Sequence, residues 1–448
     1  MNAEWMRRDL AVLWHPCTQM HDHETLPLIP IARGAGVWLY DHDGRRYLDA
    51  VSSWWVNLFG HQNPHIKAAI QTQLDRLEHV IFAGFSHEPA IRLAERLLAV
   101  APPGLGKVFL ADNGSSAVEV ALKMSFHAHH LAGQTRPRFV ALQNSYHGET
   151  LGALSVGDLG LYRELYEPLL LQPLFVPSPD AYEAAPGESA EACALRAAAV
   201  LAETLEQHAH EISALILEPL VQCAGGMRMY HPAYLREARR LCDQYGVHLI
   251  ADEIAVGFGR TGTLFACEQA QISPDFLCLS KGITGGFLPL SAVLIPNAMY
   301  DLFYDRYETR KAFLHSHSYT GNPLACAAAN AVLDLFEATP VLSRIQHLGQ
   351  TLEHALAPLR EHPHVADVRR TGLIAAVELV QNRQTRQPFP WQERRGLLVY
   401  QHGLQHEMLL RPLGNVVYFM PPYVITDAEI EQMVAVARVG IERATASP

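Results

Sequence analysis

The sequence predicts an α/β protein in which a large, mainly parallel sheet of seven-stranded type is covered by helices, with a smaller α+β unit beside it. Three observations predict this. Between about residues 105 and 295, short β-rich runs alternate with helical stretches, the pattern of a sheet wound on both faces. After about residue 340 the character changes to longer helices separated by isolated extended runs. A chain of 448 residues with 49% hydrophobic residues is also long enough for a large core and at least one satellite domain.

The first 60 residues contain an extended run at 37–40 before an Asp43-Gly44 turn, so residues 1–65 read as strands that join the small unit. Residues 66–338 form the large domain. Its candidate strands are 108–111, 139–142, 214–217, 248–251, 276–279 and 291–295, and residues 117–131 read as a helix with Glu119 and Lys123 paired on its polar face. Residues 179–200 read as a surface connection that becomes helical from Ala192. The small domain, 339–448, is predicted to contain helices at 341–359, 391–407 and 427–443 and extended runs at 373–379 and 416–420.

Composition narrows the function. With 35 Lys plus Arg against 46 Asp plus Glu, the net charge of −11 repels nucleic-acid backbones and acidic membrane surfaces. The apolar run near the N-terminus, 10–14, is too short for a signal-peptide core or a membrane span, so the protein is expected to be cytoplasmic. Seven cysteines without a Cys-x-x-Cys pair argue against a disulfide framework or zinc knuckle and are expected to be small buried residues. The histidines at 127, 129, 130, 208 and 210 lack ligand spacing, so they read as capping or surface groups, and no metal site is expected.

Active sites in wound sheets lie at the carboxyl ends of the strands. There the sequence places Asn113-Gly114-Ser115 between a strand and a helix, where free N–H groups and the helix dipole suit a phosphate at Gly114 and Ser115. Alone, that loop is better read as an N-capping turn. Asp252 follows the run 248–251, and a carboxylate there suits a protonated pyridine nitrogen. Lys281 follows the run 276–279 among glycines, where a partly desolvated amine forms a Schiff base readily. Tyr146-His147-Gly148 offers an aromatic face at the same edge. Any one of these has a bland reading as a cap or surface charge, whereas the ordered set is far more specific. The rival fingerprint Gly257-x-Gly259-x-x-Gly262 lies six residues past a strand end and precedes no clear helix. It reads instead as a flexible turn offering Arg260 to the substrate site.

These residues resemble the class III aminotransferases of fold type I, pyridoxal 5′-phosphate-dependent transferases. The resemblance rests on Asp252-Glu253-Ile254, Gly257–Gly262 and Ser280-Lys281-Gly282, and spans nearly the whole chain. Ser52-Ser53-Trp54-Trp55 and Arg411-Pro412-Leu413-Gly414 are similar to a branch of the class that works in biotin biosynthesis. That branch moves an amino group from S-adenosyl-L-methionine to 8-amino-7-oxononanoate by ping-pong chemistry. The resemblance implies a homodimer with shared active sites. Lys281 would hold the cofactor covalently and Asp252 its ring nitrogen, with Trp54 and Tyr146 walling the substrate site and Arg411 taking a carboxylate. It also implies that the loop Ser316-His317-Ser318 reaches the neighbouring subunit's site, with His317 and Ser318 on the cofactor side. The chain departs from the family pattern at Cys17, where tyrosine is usual, at His317-Ser318, where Pro-Thr is usual, and at Glu149, where aspartate is usual. Tyr418 resembles the tyrosine of the adenosylmethionine-using branch. The alternatives are lysine as donor, another class III enzyme acting on ω-amino acids or diamines, a nicotinamide-dependent dehydrogenase, and a non-catalytic scaffold.

Overall fold

A computed structural model describes residues 1–446 of the chain. Seven strands make the large sheet: β1 (Leu105–Ala111), β2 (Arg138–Leu142), β3 (Leu174–Val176), β4 (Ile212–Leu217), β5 (His248–Asp252), β6 (Phe276–Leu279) and β7 (Ser291–Pro296). Their order is β1-β7-β6-β5-β4-β2-β3. Only β7 runs antiparallel to its neighbours, because a short connection returns it directly beside β6.

Both faces of this sheet are covered, which is why its strands are apolar throughout rather than alternating. In β4, Ala214 and Ile216 point to the layer containing helix α1 (Gly114–Leu131), while Leu215 and Leu217 point to the helices Ala190–His208 and Ala233–Tyr245. The strand β3 was not foreseen, since it is a three-residue edge strand with little pattern to read.

The N-terminal strands Ile31–Ala35, Trp38–Asp41 and Arg46–Asp49 form a sheet completed by Met408–Leu409, which pairs in parallel with Leu48 and Asp49. A second small sheet pairs Val365–Thr371 with Ile374–Asn382 and that strand with Val416–Phe419. Val365–Thr371 escaped the sequence reading because its charged residues mask it. Arg369 is buried there against Glu378 and Asp367, at 2.8 and 3.0 Å. The last helix, Asp427–Thr445, starts with a reciprocal Thr426–Glu429 capping box.

Several local expectations differ from the structure. Glu119 does not pair with Lys123. Its carboxylate accepts from the Thr150 hydroxyl and from the Gly152 and Ala153 N–H groups, which caps the helix Leu151–Ser155. His129 is a core residue, bonded to the Ser213 carbonyl and stacked on His248. Six cysteines are buried as expected, but Cys17 is exposed. Among the described residues, no single helix is long and apolar enough to cross a membrane.

Candidate active site

At the carboxyl edge of the sheet, the ends of β1, β4, β5 and β6 surround a cleft of about 530 Å³. Its walls include Gly114, Ser115, Tyr146, Asp252 and Lys281, so these five sequence candidates converge. Trp55, His147 and Glu218 complete the same wall.

Lys281 stands two residues past the end of β6 at Leu279, with Ser280 between them. Its φ of 46° lies in the left-handed region, a strained choice for a residue with a side chain. The Ser280 hydroxyl anchors the turn on the Leu290 carbonyl at 2.7 Å. The Lys281 Nζ sits 5.2 Å from the Trp55 ring centroid. Burial pulls the amine's pKa below the usual lysine value, opposed chiefly by the Asp252 carboxylate. The result is an amine more readily neutral, and therefore more nucleophilic, than a surface lysine.

Asp252 closes β5 and is buried. Its Oδ1 accepts from the Ile254 N–H at 3.1 Å, and its Oδ2 lies 2.7 Å from His147 Nδ1. A carboxylate only accepts, so His147 donates from Nδ1. Its Nε2 is buried without a partner among the described residues. Glu218, one residue beyond β4, accepts from the Tyr146 and Cys223 N–H groups, both at 3.0 Å. Burial, with a contribution from Asp252 and against the opposing influence of His147, pushes its carboxyl up to about 7. Sequence reasoning missed His147 and Glu218 as site residues. His147 stood inside the Tyr-His-Gly triplet, and Glu218 directly followed a predicted strand.

The phosphate cradle forms because Asn113 caps α1 through its side chain, accepting from the Ser116 N–H at 3.0 Å. Gly148 has a φ of +126°, and a Cβ there would fall 2.1 Å from Ser115 Oγ. Only glycine lets the Tyr146–Gly148 turn close over Ser115. The first helical N–H groups, an approaching glycine turn, a buried carboxylate and a buried amine fit a phosphorylated pyridine aldehyde.

Ser52, Ser53, Trp54 and Trp55 form four consecutive left-handed residues, with φ from 47° to 74°. Such a turn costs roughly 1–2 kcal/mol per residue, so side chains must hold it. Asp49 accepts from the Ser53 N–H and hydroxyl at 2.8 and 2.6 Å, and the Ser52 hydroxyl donates to the Met420 carbonyl at 2.7 Å. The turn sends Trp55 inward toward Lys281 and leaves Trp54 41% exposed beneath the Arg411 guanidinium, 5.0 Å away.

Arg411 and Cys17 line a second, adjoining cleft of about 1280 Å³ with Tyr400. Glu149 links the two clefts. It accepts from the Tyr146 hydroxyl at 2.9 Å and lies 3.7 Å from Cys17 Sγ. Burial, then the Glu149 carboxylate, raises the Cys17 thiol, and the same two causes hold the Tyr146 phenol well above its usual range.

Two candidates need correction. Arg260 lies in a buried turn and lines neither cleft. It is 1% exposed, and its guanidinium donates to the carbonyls of Pro421, Asn57 and Trp55 at 2.8, 3.1 and 3.3 Å. Tyr418 is buried behind Trp55, whose Nε1–H it accepts at 3.1 Å, so its side chain lines neither cleft. The loop Ser316-His317-Ser318 does not line the Lys281 cleft of its own chain either. His317 instead reaches Asp112, at 3.1 Å.

The family model of the class-III aminotransferases matches residues 19–438. The chain is 51% identical over 433 residues, 95% of each protein, to the adenosylmethionine-8-amino-7-oxononanoate aminotransferase of Helicobacter pylori. The crystal structure of the similarly named aminotransferase of Methanocaldococcus jannaschii superposes with a TM-score of 0.94 at 36% identity, covering 99% of both chains. An omega transaminase of Pseudomonas jessenii in complex with PMP gives 0.93 at 31% identity, covering 98% of both chains.

Proposed function

Since the chain belongs to the class-III aminotransferases, which depend on pyridoxal 5′-phosphate, we propose that it moves an amino group from S-adenosyl-L-methionine to 8-amino-7-oxononanoate, giving 7,8-diaminononanoate for biotin. The observation that carries this reading is the pairing of an amine-and-carboxylate cleft around Lys281 and Asp252 with an adjoining cleft that presents Arg411 beside an exposed Trp54.

When bound, the cofactor supplies an aldehyde that takes up the amino group and a ring that withdraws electrons from the donor's carbon. Asp252 would hold the protonated ring nitrogen, and His147 fixes that carboxylate from behind. Lys281 Nζ would take the proton from the donor's carbon and give it to the cofactor's aldehyde-derived carbon, and would run the same transfer in reverse for the acceptor. Its lowered pKa keeps part of the amine unprotonated for that work. Gly114 and Ser115 hold the phosphate at the start of α1. Arg411 binds the donor's carboxylate and then the acceptor's, because its planar fork suits both. Trp54 and Tyr146 wall the substrate, and Tyr418 acts on that wall through Trp55.

The reading includes a cytoplasmic homodimer in which Ser316-His317-Ser318 completes the neighbour's site. Leu314 and Tyr319, which flank that loop, are 88% and 65% exposed, apolar surface that a second copy would cover. Mixing inactive Lys281→Ala and Ser318→Ala subunits should then restore some activity, and no recovery after verified exchange would exclude a shared site. The substrate reading is tested by a donor panel of adenosylmethionine, lysine, alanine and an ω-amino acid with 8-amino-7-oxononanoate as acceptor. Turnover with adenosylmethionine supports it. Turnover with lysine alone changes the donor and leaves the acceptor, whereas turnover only with ω-amino acids removes the biotin-pathway assignment.

A further inference from the structure

Running away from the cleft wall, four charged or titratable side chains form one continuous hydrogen-bonded row. Lys123 Nζ, on α1, lies 3.0 Å from His315 Nδ1. His315 Nε2 lies 3.1 Å from His317 Nε2, and His317 Nδ1 lies 3.1 Å from Asp112 Oδ2. Asp112 follows the last residue of β1 and lines the cofactor cleft one position before Asn113.

The two ends of this row fix every proton in it. An ammonium can only donate, so His315 Nδ1 accepts and its proton is on Nε2. A carboxylate can only accept, so His317 donates from Nδ1. His317 Nε2 then accepts from His315, and both imidazoles are neutral. All three bonds therefore point the same way, from the Lys123 cation to the Asp112 anion. The lowered pKa of His315, caused first by burial and then by Lys123, agrees with that neutral form. Its ring is further fixed by stacking on Phe313, with planes 9° apart. Glu119, the nearest other carboxylate on α1, is taken up by Thr150 and the helix start behind it. His79 is bonded to the Ser318 carbonyl.

Asp112 is an awkward neighbour for a phosphate, since a carboxylate beside the cradle repels a dianion. We propose that the row Lys123–His315–His317 offsets the Asp112 carboxylate and so sets this protein's affinity for the cofactor's phosphate. The inference rests on the placement of that phosphate at Gly114 and Ser115. It also gives a physical role to the histidine at position 317, which stands where the family usually has proline.

The test is absorption titration of the apoprotein with pyridoxal 5′-phosphate and, separately, with pyridoxal, which lacks the phosphate. His317→Phe should weaken binding of the phosphorylated ligand about 3- to 10-fold, the range of a partly screened charge interaction with a dianion, and leave pyridoxal unchanged. His317→Gln keeps an acceptor for His315 and a donor for Asp112, and should retain affinity within about twofold. Adding Asp112→Asn to His317→Phe should restore the lost affinity, because the charge to be offset is gone. Equal losses for both ligands, or no restoration by Asp112→Asn, would overturn the proposal. A Ser115→Ala control should weaken the phosphorylated ligand alone. If it changes neither ligand, the phosphate placement fails and the proposal goes with it.

Discussion

Replacing Asp252 by asparagine is the perturbation whose effect can be followed atom by atom. The asparagine oxygen can still accept from the Ile254 N–H, now 3.1 Å from Asp252 Oδ1. The amide nitrogen, however, would face His147 Nδ1 at the 2.7 Å contact, donor against donor. His147 must then move its proton to Nε2, which is buried and has no partner among the described residues. A charge-assisted bond of about 1.5–3 kcal/mol becomes a neutral one of about 0.5–1.5 kcal/mol, a net loss near 1–2 kcal/mol in what holds this side chain in place. Loss of the charge that keeps the ring nitrogen protonated comes on top of this, so the donor half-reaction should slow by more than about tenfold in total. The assay is single-turnover loss of the bound cofactor's visible absorption after mixing with excess donor, alongside a titration showing that cofactor still binds. A rate within about twofold of the wild type, with cofactor fully bound, would refute the reasoning.

Three further outcomes follow from the same geometry. Arg260→Leu strands three buried carbonyls and removes a guanidinium 5.0 Å from the Tyr423 ring, so thermal or urea unfolding should show a loss of about 3–5 kcal/mol. A loss below about 1 kcal/mol would mean the turn is held by something else. Arg411→Ala should lower kcat/KM for donor and acceptor alike by about tenfold or more, and an effect on one substrate only would contradict a shared carboxylate site. Glu253 is fully buried, and its carboxyl is raised to about 7 by that burial even though the Ala266 and Cys267 N–H groups donate to it. Its folded pKa lies above the unfolded one, so the stability it contributes is present at low pH and is lost as pH rises through about 7. Glu253→Gln should therefore gain stability relative to the wild type between about pH 5 and pH 8 in urea titrations, whereas a constant difference would count against the raised value.

The large sheet was legible because both its faces are buried, which writes each strand as an apolar run ending at a polar residue. Asp252 and Lys281 stand at two such ends, so their chemistry could be read together with their position. Arg260 was misread because a glycine-rich segment looks flexible in sequence, and nothing local says that three distant carbonyls will enclose its side chain. The left-handed turn at Ser52–Trp55 was equally hidden, since its supports, Asp49 and the Met420 carbonyl, lie outside the four residues. His147 and Glu218 show the same limit. Their roles depend on which neighbours the sheet brings to its edge, as with His147 on Asp252 across 105 positions of sequence.

The account turns on Lys281 as the residue that carries the cofactor. Borohydride reduction of the purified yellow protein, followed by proteolysis and mapping of the labelled peptide, should find the pyridoxyl group on Lys281 alone, and Lys281→Ala should take up no covalent label. Label on any other lysine would contradict the account at its centre.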